Sequence, residues 1–310
     1  MMWAVTLTLG FIVIAIGATV GSFINVCIYR IPWQKSVIWP ASHCPKCLEP
    51  IEPRDNIPML SRMFLGGACR RCGLPISFRY SLVELLTTCL FVLAYCVDVV
   101  IPNLDRYGSV PIDDLIRLTY DATLIAFLIV ATFIDFDLTV IPDQVTITGM
   151  FIGIVGGAWL PTIRPAPSHA ITHADGFWFG VIGLVVGGGM TLTVRTLGSL
   201  FFRKEALGFG DVTLMAMIGS FLGWQFSILT FFLGAFLGLF HAIGKIFILI
   251  GKWWSGIQSK GSDHELAFGP YLSMAAIILL LCRKPLWNGW GDELFRNLSV
   301  VFWYLLGMDS

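Results

Sequence analysis

The chain has 310 residues, of which 56% are hydrophobic and 13% charged, whereas ordinary soluble domains carry roughly 25% charge. That balance excludes a soluble globular protein and implies a chain that lives in lipid. Lys plus Arg and Asp plus Glu both number 20, so there is no global basic field to bind nucleic acid, and charge must act through its location.

The first apolar run, 3–26, has no basic flank ahead of it and no A-x-A-like site behind it. It is also longer than the core of a signal peptide and is expected to stay in place as a membrane helix. A polar stretch, 30–80, follows it. Further spans of the length a bilayer core requires, about 20 residues, are predicted near 82–101, 115–134, 144–160, 177–197, 211–223, 225–250 and 266–282. The span at 211–223 is short. The last apolar stretch, 298–308, is too short to cross and reads as an interfacial helix. The expected fold is all-α and polytopic, with about eight transmembrane helices. Its parts are a first helix in 1–29, a cytoplasmic domain in 30–80, a membrane core in 81–283 and a tail in 284–310.

Basic residues set the orientation. Between Arg30 and Tyr80 there are eight (Arg30, Lys35, Lys46, Arg54, Arg62, Arg70, Arg71, Arg79) against three acids (Glu49, Glu52, Asp55). Such a loop stays in the cytoplasm, which puts the N-terminus outside. Eight alternating spans then place 135–143, 203–210 and 252–265 inside as well, and the Lys- and Arg-poor loops, one with Asp113 and Asp114 and the other 161–176, outside.

The 30–80 loop has few large apolar residues and is too small to bury a core of its own. Its fastening is legible in Cys44-Pro45-Lys46-Cys47 and Cys69-Arg70-Arg71-Cys72, which are 21 residues apart. Two C-x-x-C turns present four thiolates, the soft tetrahedral set that zinc prefers. Zinc binding of about 10–16 kcal/mol can fold a loop that otherwise would not fold. The competing readings are two redox dithiols or four unrelated thiols. Four protein ligands leave zinc no open position, so Cys44, Cys47, Cys69 and Cys72 are expected to hold structural zinc. His43 is read as a bystander, and Cys27, Cys89, Cys96 and Cys282 lie in or beside apolar runs.

Acids at membrane depth are costly and call for a reason. Asp135, Asp137 and Asp143 cluster where the third span ends and the fourth begins, and Gly208-Phe209-Gly210-Asp211 opens the sixth. Asp143 is well explained as a helix cap beside Pro142, and Asp137 as a solvated interfacial acid. Asp211 can also be a cap. Asp135 sits deeper against its apolar run and is harder to dismiss. Two acids reaching one membrane face from different helices can share a proton. One carboxylate then activates water while the protonated partner polarises a carbonyl. The five histidines form no convincing ligand set, and no serine or cysteine nucleophile motif is visible.

Taken together, Gly21 to Pro32 (Gly-Ser-Phe-Ile-Asn-Val-Cys-Ile-Tyr-Arg-Ile-Pro), the two C-x-x-C pairs, Asp55-Asn56-Ile57-Pro58, Arg79-Tyr80-Ser81-Leu82-Val83-Glu84-Leu85, the 135–143 block and Gly208 to Asp211 resemble the bacterial type IV prepilin peptidases. The resemblance runs from Gly21 to Phe268-Gly269-Pro270. It implies a G-x-G-D aspartyl protease with Asp135 and Asp211 as its catalytic pair. Such an enzyme cuts the short basic leader from prepilins or type II secretion pseudopilins, after a glycine, where their apolar helix meets the cytosol of the inner membrane. It also implies N-methylation of the new N-terminus with S-adenosyl-L-methionine. No methyltransferase loop rich in glycine is visible, so the residues that bind that cofactor are unassigned. Asn25 and Glu84 are either contributors or helix-packing polar groups. The sequence departs from the family at Arg62, where an aromatic is usual, at Ala267, where proline is expected, and in the long outer loop of 159–176.

Two other classes compete. A proton-coupled transporter would suit the intramembrane acids and the small-residue motifs Gly17-x-x-x-Gly21 and Gly234-x-x-x-Gly238, but it predicts mid-bilayer acids and inverted repeats. An assembly scaffold predicts acids that only cap helices. The sequence leaves a homodimer open and does not name the pilin that is cut.

Overall fold

The computed structural model describes residues 2–44, 46–104, 110–160, 172–203, 207–254, 267–286, 293 and 295. The expected interfacial helix at 298–308, His169 and His264 lie outside the described residues, as do most of the loops expected at 161–176 and 252–265.

In hydrocarbon a helix satisfies its own backbone groups, and the apolar runs fold accordingly. They form α1 (Met2–Arg30), α3 (Phe78–Tyr95), α4 (Ile112–Leu138), α5 (Asp143–Trp159), α6 (His173–Phe202), α7 (Phe209–Trp254) and α8 (Gly269–Leu286), with the short α2 (Leu60–Phe64) inside the polar loop. Among the described residues, five stretches are long and apolar enough to cross a membrane: Ala4–Trp33, Phe78–Asn103, His173–Phe201, Phe209–Phe247 and Gly269–Leu286. Between them lie α4, which carries five aspartates and Arg117, and the 17-residue α5.

The predicted break between the sixth and seventh spans is real, although α7 is helical on both sides of it. At Gly223 the backbone takes φ 83° and ψ 174°, a conformation that is essentially glycine's own. A Cβ there would also meet the Phe179 ring at 2.1 Å. Beyond this point the chain turns back, because a Cβ on Gly219 would lie 2.8 Å from the Ser227 hydroxyl. Residues eight apart in a straight helix are about 12 Å apart. The second arm then descends antiparallel to α8, with Gly234 against Leu272 and Gly238 against Phe268. The first arm is the heart of the bundle, with Leu214, Met215, Met217 and Ile218 fully buried. α6 reaches it through Gly183 and Gly187, where added methyl groups would strike the carbonyls of Gly219 and Met215. On the other side of the molecule, Gly17 and Gly21 bring α1 against the Thr88 and Glu84 backbone of α3, the small-residue packing their spacing suggests.

One polar cluster inside the bundle was not anticipated. Arg283 of α8 bonds Asp98 at 2.5 Å and Asp121 of α4 at 2.7 Å, and all three are buried. Asp98 lies in a π-turn, Cys96–Val100, that continues α3, so the cluster ties three helices together. It stands 14 residues along α4 from Asp135, about 20 Å away along the helix axis. Removing one member of a buried ion cluster costs about 3–5 kcal/mol, whereas replacing the whole set with apolar groups can be neutral. Arg283→Met is therefore expected to lower the unfolding temperature in detergent sharply. The triple change Asp98→Leu, Asp121→Leu, Arg283→Met is expected to recover most of that loss in the same melt.

Candidate active site and metal centre

The last turn of α4 carries Asp135, and the helix stops just beyond it. Thr139 adopts φ 52°, and its N–H closes on the Asp135 carbonyl at 2.8 Å. The next residues lead to Ile141, which is buried, and then to α5. Ile141 is a meeting point: a Cβ on Gly210 or on Gly269 would lie 2.9 Å from its side chain. The starts of α7 and α8 thus converge on the end of α4.

Both candidate acids sit in this convergence, 5% and 7% exposed for Asp135 and Asp211, and the charge of Asp135 reaches Asp211. The Asp135 Oδ2 accepts the Gly269 N–H at 3.0 Å, and the Asp211 Oδ2 accepts the Gly208 N–H at 3.2 Å. Neither Oδ1 has a hydrogen bond among the described residues. A Cβ at position 269 would come within 2.6 Å of the Asp135 carboxyl oxygen, so glycine there is a steric requirement of the contact. Asp211 stands in the third position of its helix and bonds back to the residue before it, half of a capping box, while its other oxygen remains open.

The neighbouring acids behave differently. Asp137 pairs with Arg79 at 2.5 Å, and the same guanidinium lies 5.4 Å from the centre of the Phe133 ring. Asp143, read from sequence as an acid that opens and caps a helix, is the first residue of α5, one position past the N-cap Pro142. Being exposed, it contributes only charge near the helix N-terminus.

The four paired cysteines come together as expected. The sulfurs of Cys44, Cys47, Cys69 and Cys72 all lie within 4.8 Å of one another, and this all-thiol donor set fits tetrahedral zinc with every position filled. Two matching turns build it. The Cys44 N–H bonds Glu49 O at 3.0 Å and the Leu48 N–H bonds Cys44 O at 2.9 Å; in the second turn the Cys69 N–H bonds Leu74 O at 2.9 Å and the Gly73 N–H bonds Cys69 O at 3.0 Å. The bridges His43 to Pro50 and Ala68 to Pro75 repeat the correspondence. The N–H of Cys47, then that of Lys46, aimed at the Cys44 sulfur pull its thiol down to about 6. His43 is exposed and turns to Ala41 O, outside the donor set. Arg70 grips Asp55 with two hydrogen bonds of 2.7 and 2.5 Å, and that guanidinium holds the Asp55 carboxyl below the usual range. Arg62 lies over Phe78 and bonds Ile76 O at 2.8 Å, so it packs inside the loop.

Glu84 and Asn25 connect this loop to the helices. Glu84, buried where α3 meets α1, accepts the Met59 N–H at 2.8 Å. Asn25 donates to Tyr80 O at 3.0 Å. Sequence reasoning missed Gly269 as a partner of Asp135. The signal available was the Phe268-Gly269-Pro270 segment itself, since proline there marks a helix start, where the first N–H groups have no partner within the helix.

A multi-pass bundle that buries two acids against backbone N–H groups at one end has the make-up of a membrane-embedded peptidase. Residues 15–97 match the bacterial peptidase A24 N-terminal domain, and residues 122–243 match the type IV leader peptidase family. The chain is 31% identical to a prepilin leader peptidase/N-methyltransferase of Aeromonas hydrophila, over 92% of this chain and 90% of the relative. It is 34% identical to the enzyme of that name from Myxococcus xanthus, over 81% and 67%. It is also 34% identical to a leader peptide-processing enzyme for type 4 prepilin-like proteins from Escherichia coli, over 84% and 89%. No solved structure matched. The chain belongs to the type IV leader peptidase family.

The paired turns differ in one respect. Leu48, 70% exposed, holds φ 58° where its counterpart Gly73 holds φ 68°, and a side chain in that region costs about 1–2 kcal/mol. Leu48→Gly is expected to raise the loop's resistance to limited proteolysis and to chelator. Changing the four cysteines to serine is expected to abolish zinc, read by atomic absorption, and to leave the 30–80 segment open to protease while α4–α8 stay folded.

Proposed function

We propose that this protein cleaves the basic leader from type IV prepilins or type II secretion pseudopilins and methylates the N-terminus it exposes, with Asp135 and Asp211 as the catalytic pair. The supporting observation is the convergence of those two acids, from separate helices, on one buried point beside Ile141. The names of the relatives support the substrate and the second activity.

In the cleavage step one carboxylate takes a proton from water as the water oxygen attacks the scissile carbonyl. The other, protonated, gives its proton to the carbonyl oxygen. The tetrahedral adduct collapses, the C–N bond breaks, and the amine departs with a proton returned from the pair. The Gly269 and Gly208 N–H groups fix one oxygen of each carboxyl and leave the other free for water and substrate.

The excess of basic residues in 30–80 supports placing that loop, and with it the aspartates, at the cytoplasmic face of the inner membrane. Arg79 and Asp137 join the two at the same end of the bundle. Zinc on Cys44, Cys47, Cys69 and Cys72 would fold this loop and take no part in the chemistry. S-adenosyl-L-methionine is the donor we assign to methyl transfer. The transfer is assigned to no residue.

Asp135→Asn and Asp211→Asn are each expected to lower kcat at least a thousandfold with the protein still folded. Mass spectrometry of product N-termini, with and without S-adenosylmethionine, reads both activities. Uncut prepilin with the unsubstituted enzyme would refute the reading, and cut but never methylated product would remove the second activity. Because the pair works with one proton, kcat/KM is expected to fall on both the acid and the alkaline side. Gly269→Ala, which crowds Asp135, is expected to cut kcat at least tenfold without changing zinc content.

A further inference from the structure

An apolar cavity of about 590 Å³ runs between α1 and α4. Its walls extend from Val13 to Cys27 on α1 and from Leu118 to Val130 on α4, which is about 20 Å along each helix. Among its lining residues Phe23 and Ile16 are half exposed, so the trough opens sideways to the bilayer. Small side chains, Ala122 and Ala126, form part of its α4 wall. At one end it is lined by Gln144 and Val145 of α5, the first turn after Asp143 and close in sequence to Ile141, the residue on which the aspartate cluster converges.

The geometry points to this trough as the docking site for the apolar helix of the substrate, lying parallel to α1 and α4 with its cytoplasmic end at Gln144. The inference rests on the peptidase reading above. Three features on the page select that occupant. The trough is long enough for about 13 helical residues, and its lining is almost wholly apolar. It ends near the aspartates: Gln144, at its mouth, follows by three positions Ile141, on which the starts of α7 and α8 converge. At that exit stands Asp143, exposed and with no ion pair among the described residues, where the basic leader of the substrate would pass. An acyl chain would share the first two features but has no use for the acid.

The test uses full-length enzyme in liposomes with a full-length prepilin. p-Benzoylphenylalanine replaces Phe23 in the trough or, as a control, Phe236, an exposed residue of α7 outside it. Irradiation is expected to join position 23, and not position 236, to the apolar segment of the prepilin. Ala126→Trp, which fills the trough, is expected to raise KM for the prepilin at least tenfold and to lower crosslinking from position 23 in parallel. Crosslinks from position 23 to phospholipid alone, or equal yields from both positions while cleavage proceeds, would overturn the docking site and leave the peptidase reading standing. Failure of the unsubstituted enzyme to cut prepilin would bring down that reading, and this one with it.

Discussion

Two carboxyl groups can be kept in the end of a lipid-embedded bundle only if something polar meets each of them, and here the partners are backbone N–H groups at helix starts, that of α8 for Asp135 and that of its own helix α7 for Asp211. Asp135 leans on Gly269 and Asp211 on Gly208. This arrangement requires three helix ends at one level, glycine where the carboxyl group approaches the backbone, and an apolar plug, Ile141, to keep the convergence closed. The buried first arm of α7 starts at the acids and leads away through a fully buried stretch, Leu214, Met215, Met217 and Ile218.

Much of this was legible in the sequence, because membrane proteins write their elements in runs of apolar residues. The spans were placed to within a few residues, and even the break at Gly223 could be seen between the sixth and seventh. The four cysteines stood out for a similar reason, being residue types whose presence in such surroundings is expensive. The sequence was silent on partnerships. Nothing in the local pattern of Arg283 connects it to Asp98 and Asp121, which lie more than 150 positions earlier, and nothing ties Glu84 to the Met59 N–H. Asp143 opens α5 beside Pro142 as the sequence suggested, but an acid there looks the same whether its side chain bonds the first turn or only adds charge to it.

The two ends of the bundle are held together by different means. At the far end Arg283, Asp98 and Asp121 form a desolvated ion cluster, where loss of any one charge strands the others. At the aspartate end the ties are exposed or backbone-mediated: Arg79 to Asp137, Asn25 to Tyr80 O, and Glu84 to the Met59 N–H. Met59 itself sits at φ 58° and ψ −45°, a sparsely populated conformation that a surrounding structure must enforce. The far end is therefore tied by buried charge, while the aspartate end is tied by contacts that are exposed or made to the backbone.

The reversal at Gly223 also bears on how the polypeptide enters the bilayer. The arm from Phe209 to that glycine contains 14 residues before the turn, about 20 Å of helix, against the roughly 30 Å a bilayer core presents. Such a segment cannot settle across a membrane by itself during synthesis. It has to be delivered together with the longer arm that follows, as a preformed hairpin, and be enclosed by α6 and α8 before its carboxylate end comes to rest. The residue that makes a short span possible therefore also makes its insertion a joint event, and the aspartate at its tip reaches its place only once the helices on either side have been made.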